Sequence, residues 1–223
     1  YEGNRFTQGA AFGGFGLLVD RAGDDRYSSF GYALGFGAPL GVGALIDVSG
    51  NDFYECGGRY PSAYNETDAP NAHPQDPVFQ YDCFGLGTGS GLRVFSKQPA
   101  HRALSLAGGW GLFIDLDGRD RYRSANFSQG HGYFFGLGVK LDLNGDDEHQ
   151  AARYGHGTAA HFGVGLNIDY QGKDRYGSKG PFYNGGAAWD GSVALAVDGG
   201  PDSDFYDLPA STGLGMGDLG GWG

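Results

Sequence analysis

The sequence predicts an all-β chain: a parallel β-solenoid (β-helix) of about seven coils with a period of about 27 residues. Three observations lead there. A strand-and-turn phrase recurs as LLVDRAGDDRYSS, LIDVSGNDFYEC, LFIDLDGRDRYRS, VKLDLNGDDEHQ, LNIDYQGKDRYGS and LAVDGGPDSDFYD, and self-similarity at a fixed period of roughly 20–50 residues marks a stacked architecture. The first Asp of each phrase falls at Asp20, Asp47, Asp115, Asp142, Asp169 and Asp198, so the interval is 27 three times and 29 once. Before each Asp, apolar residues alternate with the period of two that belongs to a strand with one buried face.

Taken in order, the six strands carry Phe15, Leu17 and Val19; Val42, Ala44 and Ile46; Trp110, Leu112 and Ile114; Leu137, Val139 and Leu141; Val164, Leu166 and Ile168; and Val193, Leu195 and Val197. Glycines fill the alternate places in five of them, as at Gly14 and Gly16 or Gly136 and Gly138. Helix is excluded by this glycine load and by the period. The expectation is a buried apolar face and a bare outer glycine face, unusual because glycine weakens a strand unless something approaches closely. The long interval from Asp47 to Asp115 alone breaks the rhythm. Within it GTGSGLRVF reads as the strand half of a third unit, with Phe95 where the Asp should stand. GLGMGDLGGWG begins a further unit near the end.

Charge gives an independent check. Four residues after the first Asp stand Arg119, Asp146 and Lys173, and six residues after it Arg121, Glu148 and Arg175. Coils stacked about 4.8 Å apart place these in columns of alternating sign. A β-propeller and an outer-membrane β-barrel are the rival architectures. The first needs about 40 residues per blade, hence two units; the second needs lipid-crossing strands of about 9–11 residues with an apolar outer face.

Residues 1–223 form one repeat domain with an insertion at about 57–82, flanked by Cys56 and Cys83. A disulfide there closes a loop worth about 3.5 kcal/mol in the chain-entropy model and places the protein extracellularly, at the cell surface or in the periplasm. Asn65-Glu66-Thr67 is a glycosylation sequon, and a chain opening at Tyr1 is expected to be a processed segment. The net charge of −11 disfavours nucleic acid and anionic membranes, and no apolar run is long enough for a transmembrane helix.

The turns follow D-x-x-G-x-D-x-(Y/H), with Asp117 and Asn144 as third acceptors in DLDGRD and DLNGDD. Alternate carboxylates around a glycine turn resemble calcium loops in ligand chemistry. The predicted Ca²⁺ ligands are Asp20, Asp25, Asp47, Asp52, Asp115, Asp117, Asp120, Asp142, Asn144, Asp147, Asp169, Asp174, Asp198 and Asp204. The third unit is expected to lack the ion, with Arg93 and Lys97 substituting for its charge. The competing reading has each Asp accept amides of its own turn, as in Asx-turns, with Arg26, Arg121 and Arg175 supplying charge. Tyr27, Tyr54, Tyr122 and Tyr176 are expected to stack at the core edge. His131 and His156, 25 residues and so nearly one coil apart, form with the following His161 a candidate Zn²⁺ or Cu²⁺ set.

Three functions follow. The first is a secreted or cell-surface structural or adhesive module, calcium-stiffened, whose glycine face meets a protein or polysaccharide surface or a further copy of itself. The second is a polysaccharide lyase or hydrolase with its site where the insertion (Tyr60, Tyr64, Glu66, Asp68, His73, Asp76) meets Lys97, His101 and Arg102. The third is a surface protein that binds a transition metal through its histidines. No nucleophile elbow, phosphate loop or zinc-protease motif is present.

Overall fold

A strand that recurs once per coil pairs best with its own copy one coil on, and in the computed structural model it does so. The structure describes residues 1–62, 80–94, 104–178, 183–208 and 214–223. The six strands Gly14–Asp20, Gly41–Asp47, Trp110–Asp115, Leu137–Asp142, Val164–Asp169 and Val193–Asp198 form one parallel sheet. Their first aspartates lie in register from Asp20 through Asp47, Asp115, Asp142 and Asp169 to Asp198. After the acidic turn the chain enters a ten-stranded sheet through segments such as Phe53–Cys56, Arg121–Ser124 and Glu148–Ala151. It then crosses a five-stranded sheet of two-residue strands, including Gly132–Tyr133 and Ala159–Ala160, and returns. No α-helix occurs among the described residues.

The turns are counted by one stack of rings: Tyr1, Tyr27, Tyr54, Tyr122, His149, Tyr176 and Tyr206, with neighbouring centroids 4.6 to 5.2 Å apart. This is a β-solenoid of about seven turns, and the propeller and barrel are excluded. The predicted charge column is in place, with Arg121 opposite Glu148 and Glu148 opposite Arg175. Its Arg121–Glu148 pair is exposed and 3.9 Å apart, so it contributes little. Position four is joined through the backbone instead: Lys173 donates its amide to Asp146.

The long interval departs from expectation. Asp47 registers directly on Asp115, so no third coil intervenes. Gly89–Ser90, inside GTGSGLRVF, belongs to the five-stranded sheet beside Gly132–Tyr133, and Phe95 lies outside the described residues. One coil instead carries two insertions. Tyr54 and Phe84 are 30 apart where their stacked equivalents Tyr27 and Tyr32 are 5 apart. Gly89 and Trp110 are 21 apart where Gly132 and Leu137 are 5 apart. These two excesses, 25 and 16, account in full for the difference between the interval of 68 and the ordinary 27. Cys56 and Cys83 are disulfide-bonded and buried at the base of the first insertion, as predicted.

The strand faces are the reverse of the expected assignment. Gly111, Gly138 and Gly165 point inward and are buried, while Leu112, Val139 and Leu166 point outward and are half exposed. The glycine face is therefore the interior wall and is not available to a partner. Its cause is a narrow cross-section: a Cβ on Gly138 would stand 2.0 Å from the His131 carbonyl oxygen, and one on Gly165 1.9 Å from that of Thr158. The two walls meet backbone to backbone, and at Gly138 and Gly165 only glycine fits; the last strand carries the small Ala194 at the same place. The inward residue two before each Asp runs Leu18, Leu45 and Phe113, then Lys140, Asn167 and Ala196. Tyr54, Leu45, Leu86 and Phe113 give the first half a continuous apolar core. Beyond it the interior holds fully or nearly fully buried polar groups: Gln129, His131, Lys140, His149, His156 and Asn167.

Gly138→Ala and Gly165→Ala should each destabilise the protein by about 3 kcal/mol or more, the upper range for overpacking. Leu141→Thr, on the outward face, should cost about 1 kcal/mol or less. Urea denaturation of the three variants checks both; equal losses would contradict the inward placement of glycine.

Candidate metal centre

Each acidic turn brings two aspartates into the interior, five residues apart in the first five turns and six in the last. The first column, Asp20 to Asp198, ends the strands of the six-stranded sheet. The second, Asp25, Asp52, Asp120, Asp147, Asp174 and Asp204, enters the ten-stranded sheet. Asp47, Asp52, Asp115, Asp120, Asp142, Asp147, Asp169 and Asp174 are all buried.

Tyrosine hydroxyls hold one oxygen of the first column. Tyr54 donates to Oδ2 of Asp47 at 2.7 Å and lies 3.2 Å from Oδ2 of Asp115. Tyr122 lies 3.0 Å from Asp115 and 2.7 Å from Asp142, and Tyr176 donates to Asp169 at 2.8 Å. The stacked ring column therefore also clamps the carboxylates. A hydroxyl has one proton, so it satisfies one of its two carboxylate neighbours at a time. In the second column each carboxylate accepts the amide of its equivalent one coil earlier: Asp52 from Asp25, Asp120 from Asp52, Asp147 from Asp120 and Asp174 from Asp147, at 2.6 to 2.8 Å. The competing Asx-turn reading placed these bonds within one turn; they run between coils.

What remains are oxygens without partners. Oδ1 of Asp115, Asp142, Asp169 and Asp198 and Oδ2 of Asp52, Asp120, Asp147 and Asp174 are buried and accept no hydrogen bond. Two carboxylates a strand spacing apart repel by about 3.5 kcal/mol at an effective dielectric of 20. Burial, the largest cause in each case, pushes Asp52 up to about 6 and Asp115 and Asp174 up to about 7, and neighbouring carboxylates push the same way. Asp120, Asp147 and Asp169 are raised by burial as well. Such columns need protons or cations.

Among the described residues, two groups have donor atoms all within 4.8 Å of one another: Asp142, Asp147, His149 and Asp169, all buried, and Asp174, Asp198 and Asp204 toward the end of the array. Opposite oxygens around Ca²⁺, each at about 2.4 Å, are also about 4.8 Å apart. In the first group His149 takes the tyrosine place in the ring stack. Its Nε2 lies 3.2 Å from Asp169 Oδ2, and neither ring nitrogen is hydrogen-bonded. Burial, then Lys140, lowers His149 well below the usual imidazole range, so it is a neutral donor. Lys140 supplies a fixed charge: its Nζ bonds Asp142 Oδ2 at 3.0 Å and lies 3.8 Å from the centroid of the Tyr122 ring. Burial alone would lower this amine, but Asp142, Asp169 and Asp147 outweigh it and hold it above its ordinary value. Neither Lys140 nor His149 was singled out from the sequence; the inward column two before each Asp, and the histidine in the tyrosine place, were the signals.

Other predicted residues lie elsewhere. Asp117 and Asn144 are exposed and pair with each other at 2.6 Å, apart from the buried oxygens. His131, His156 and His161 do not stack: the registers place His131 beside Thr158 and His161 beside Phe134. His131 bonds Thr158, His156 the Gly177 carbonyl, and His161 both Asp190 and Arg93. Arg93 therefore contacts His161 and is not in the acidic columns. Tyr64, Glu66, Asp68, His73, Asp76, Lys97, His101 and Arg102, the proposed polysaccharide site, lie outside the described residues. Tyr60 is described, and its hydroxyl bonds Asn4.

Compared with protein-family models, with curated proteins and with solved structures, the chain matches none.

A carboxyl whose folded pKa is raised binds a proton on folding, so its stabilising contribution is present below the unfolded value near 4 and is lost as pH rises through the folded value. Metal-free protein should therefore lose stability between about pH 4 and pH 7, by up to about 1.4 kcal/mol per pH unit for each proton released. Thermal melts in EDTA across that range measure it; a flat profile would show that the carboxyls are already ionised and satisfied.

Proposed function

We propose that this chain is a calcium-loaded structural β-solenoid that works outside the reducing cytosol as a rigid module of the cell surface or extracellular matrix. The observation that carries the reading is the repeated pair of buried, unpartnered carboxylate oxygens, one from each aspartate of a turn. A hard cation with oxygen ligands suits them: successive coils offer Oδ1 of the first Asp and Oδ2 of the second, and Ca²⁺ takes six to eight oxygens at about 2.3–2.6 Å. Ion binding to the folded state alone stabilises it by mass action. The site with His149 mixes a nitrogen with oxygens, a donor set that also suits first-row metals. The Cys56–Cys83 bridge supports the compartment, since such bonds persist where thiols are not kept reduced.

Elemental analysis of native protein at neutral pH should find several calcium ions per chain, and chelation should lower the melting temperature by about 10 °C or more, at roughly 2–4 °C per kcal/mol for a domain of this size. Asp120→Asn, which keeps the shape and removes the charge, should lower the calcium content and shrink the chelator effect. A melting temperature indifferent to both EDTA and added Ca²⁺, with no metal copurifying, would leave the columns as proton-sharing structure. Non-reducing peptide mapping should recover Cys56 linked to Cys83; free thiols at both would remove the argument for an oxidising compartment.

A further inference from the structure

The apolar columns that the narrow interior forces outward make a surface of their own. On the six-stranded sheet Phe15 is 70% exposed, Trp110 57% and Leu195 46%. On the central strands Val139 and Leu166 are half covered, flanked by their own equivalents one coil away. The face widens on both sides. Phe135 and Phe162, two residues before the strands, stack at 5.2 Å and are more than half exposed. Past the aspartates, Tyr170 is 61% exposed. Because every strand pairs without a register shift, these side chains stand in straight rows.

We propose that this face is the interface of a homodimer, two copies packing their six-stranded sheets against each other about a two-fold axis. Area is the first argument. Six strands about 4.8 Å apart and about eight residues of roughly 3.3 Å each outline about 600 Å². Two copies then bury about 1,200 Å², the lower bound of a specific stable interface. A single apolar patch of that size lies at the top of the range that soluble monomers commonly expose. Chemistry is the second. The three columns before each Asp contain only aliphatic and aromatic side chains, with the Trp110 indole N–H their one polar group, so they offer a polar polymer such as a polysaccharide almost no hydrogen bonds. Geometry is the third. An α-helix about 10 Å across covers about two of the six strands, whereas a second copy presents the same row spacing along its whole width. Sheets packed face to face interdigitate at about 10 Å with strands within about 30°, and a self-complementary patch is what a two-fold interface requires. The inference stands whether or not the acidic columns hold metal.

Sedimentation equilibrium of the full chain from about 1 to 100 µM should give twice the monomer mass. Val139→Glu with Leu166→Glu should give the monomer mass throughout, at least a hundredfold weaker association, with the circular dichroism unchanged. Should the glutamates prevent folding, Val139→Thr with Leu166→Thr keeps the strand preference and should weaken the dimer at least tenfold. Wild type at monomer mass up to 100 µM overturns the proposal, as does a dimer that persists unchanged in the folded variants. A monomer that floats with phosphatidylcholine vesicles overturns it in favour of a lipid surface.

Discussion

Backbone-to-backbone contact between the two walls of the coil is the constraint on which the rest of this structure depends. With carbonyl oxygens about 2 Å from where a Cβ of Gly43, Gly111 or Gly138 would stand, the interior of the six-stranded sheet admits no side chain over much of its width. Larger inward residues fit only near the acidic turn, where the walls diverge enough for Leu45 or Phe113 and for the ring stack. The hydrophobic effect, which ordinarily decides which face of a strand is buried, is overruled here by sterics. Valine and leucine go outward because only glycine, or Ala194 in the last strand, goes inward at these places.

The same narrowness explains the acidic columns. An aspartate is short enough to turn inward at the strand end, and stacking at the strand spacing then puts it against its own copy. Tyrosine hydroxyls and inter-coil amides satisfy one oxygen of most of these carboxylates. The other oxygens face one another. Lys140 is a local solution to this repulsion, an ammonium built into the wall and held by Asp142 and the Tyr122 ring. It falls where the interior changes from Leu, Phe and Tyr to Gln, His and Asn, so the change in core chemistry and the internal cation coincide.

Much of this was legible in the sequence. The period fixed the stacking, the strand ends and the aspartate registers, because a repeat can be measured without knowing what it packs against. The disulfide followed from two cysteines flanking an insertion. What failed was sidedness. Alternation says that two faces differ, and hydrophobicity assigns the apolar one to the interior, whereas glycine at every second place is the better clue to close approach. The third coil failed for a related reason: GTGSG resembles the glycine pattern of the six-stranded sheet but serves the five-stranded one, since both walls of a narrow interior call for small residues. Lys140 and His149 were missed because each is a single departure from a column, visible only once the column is drawn.

The coil with two insertions sets the order of assembly. In a solenoid each coil needs only its neighbour, so the coils before Asp47 and those after Asp115 can form separately, each by closing a loop of one ordinary period. Joining them requires closing the whole interval from Asp47 to Asp115, the longest sequence separation between adjacent strands of that sheet. Loop-closure entropy grows slowly with length, by about 0.6 kcal/mol per doubling, so the finished array is little weakened. The rate is another matter, because folding slows as contacts become more distant along the chain. Oxidation of Cys56 and Cys83 shortens that path, which makes the order of bond formation and coil docking a kinetic choice for the nascent chain.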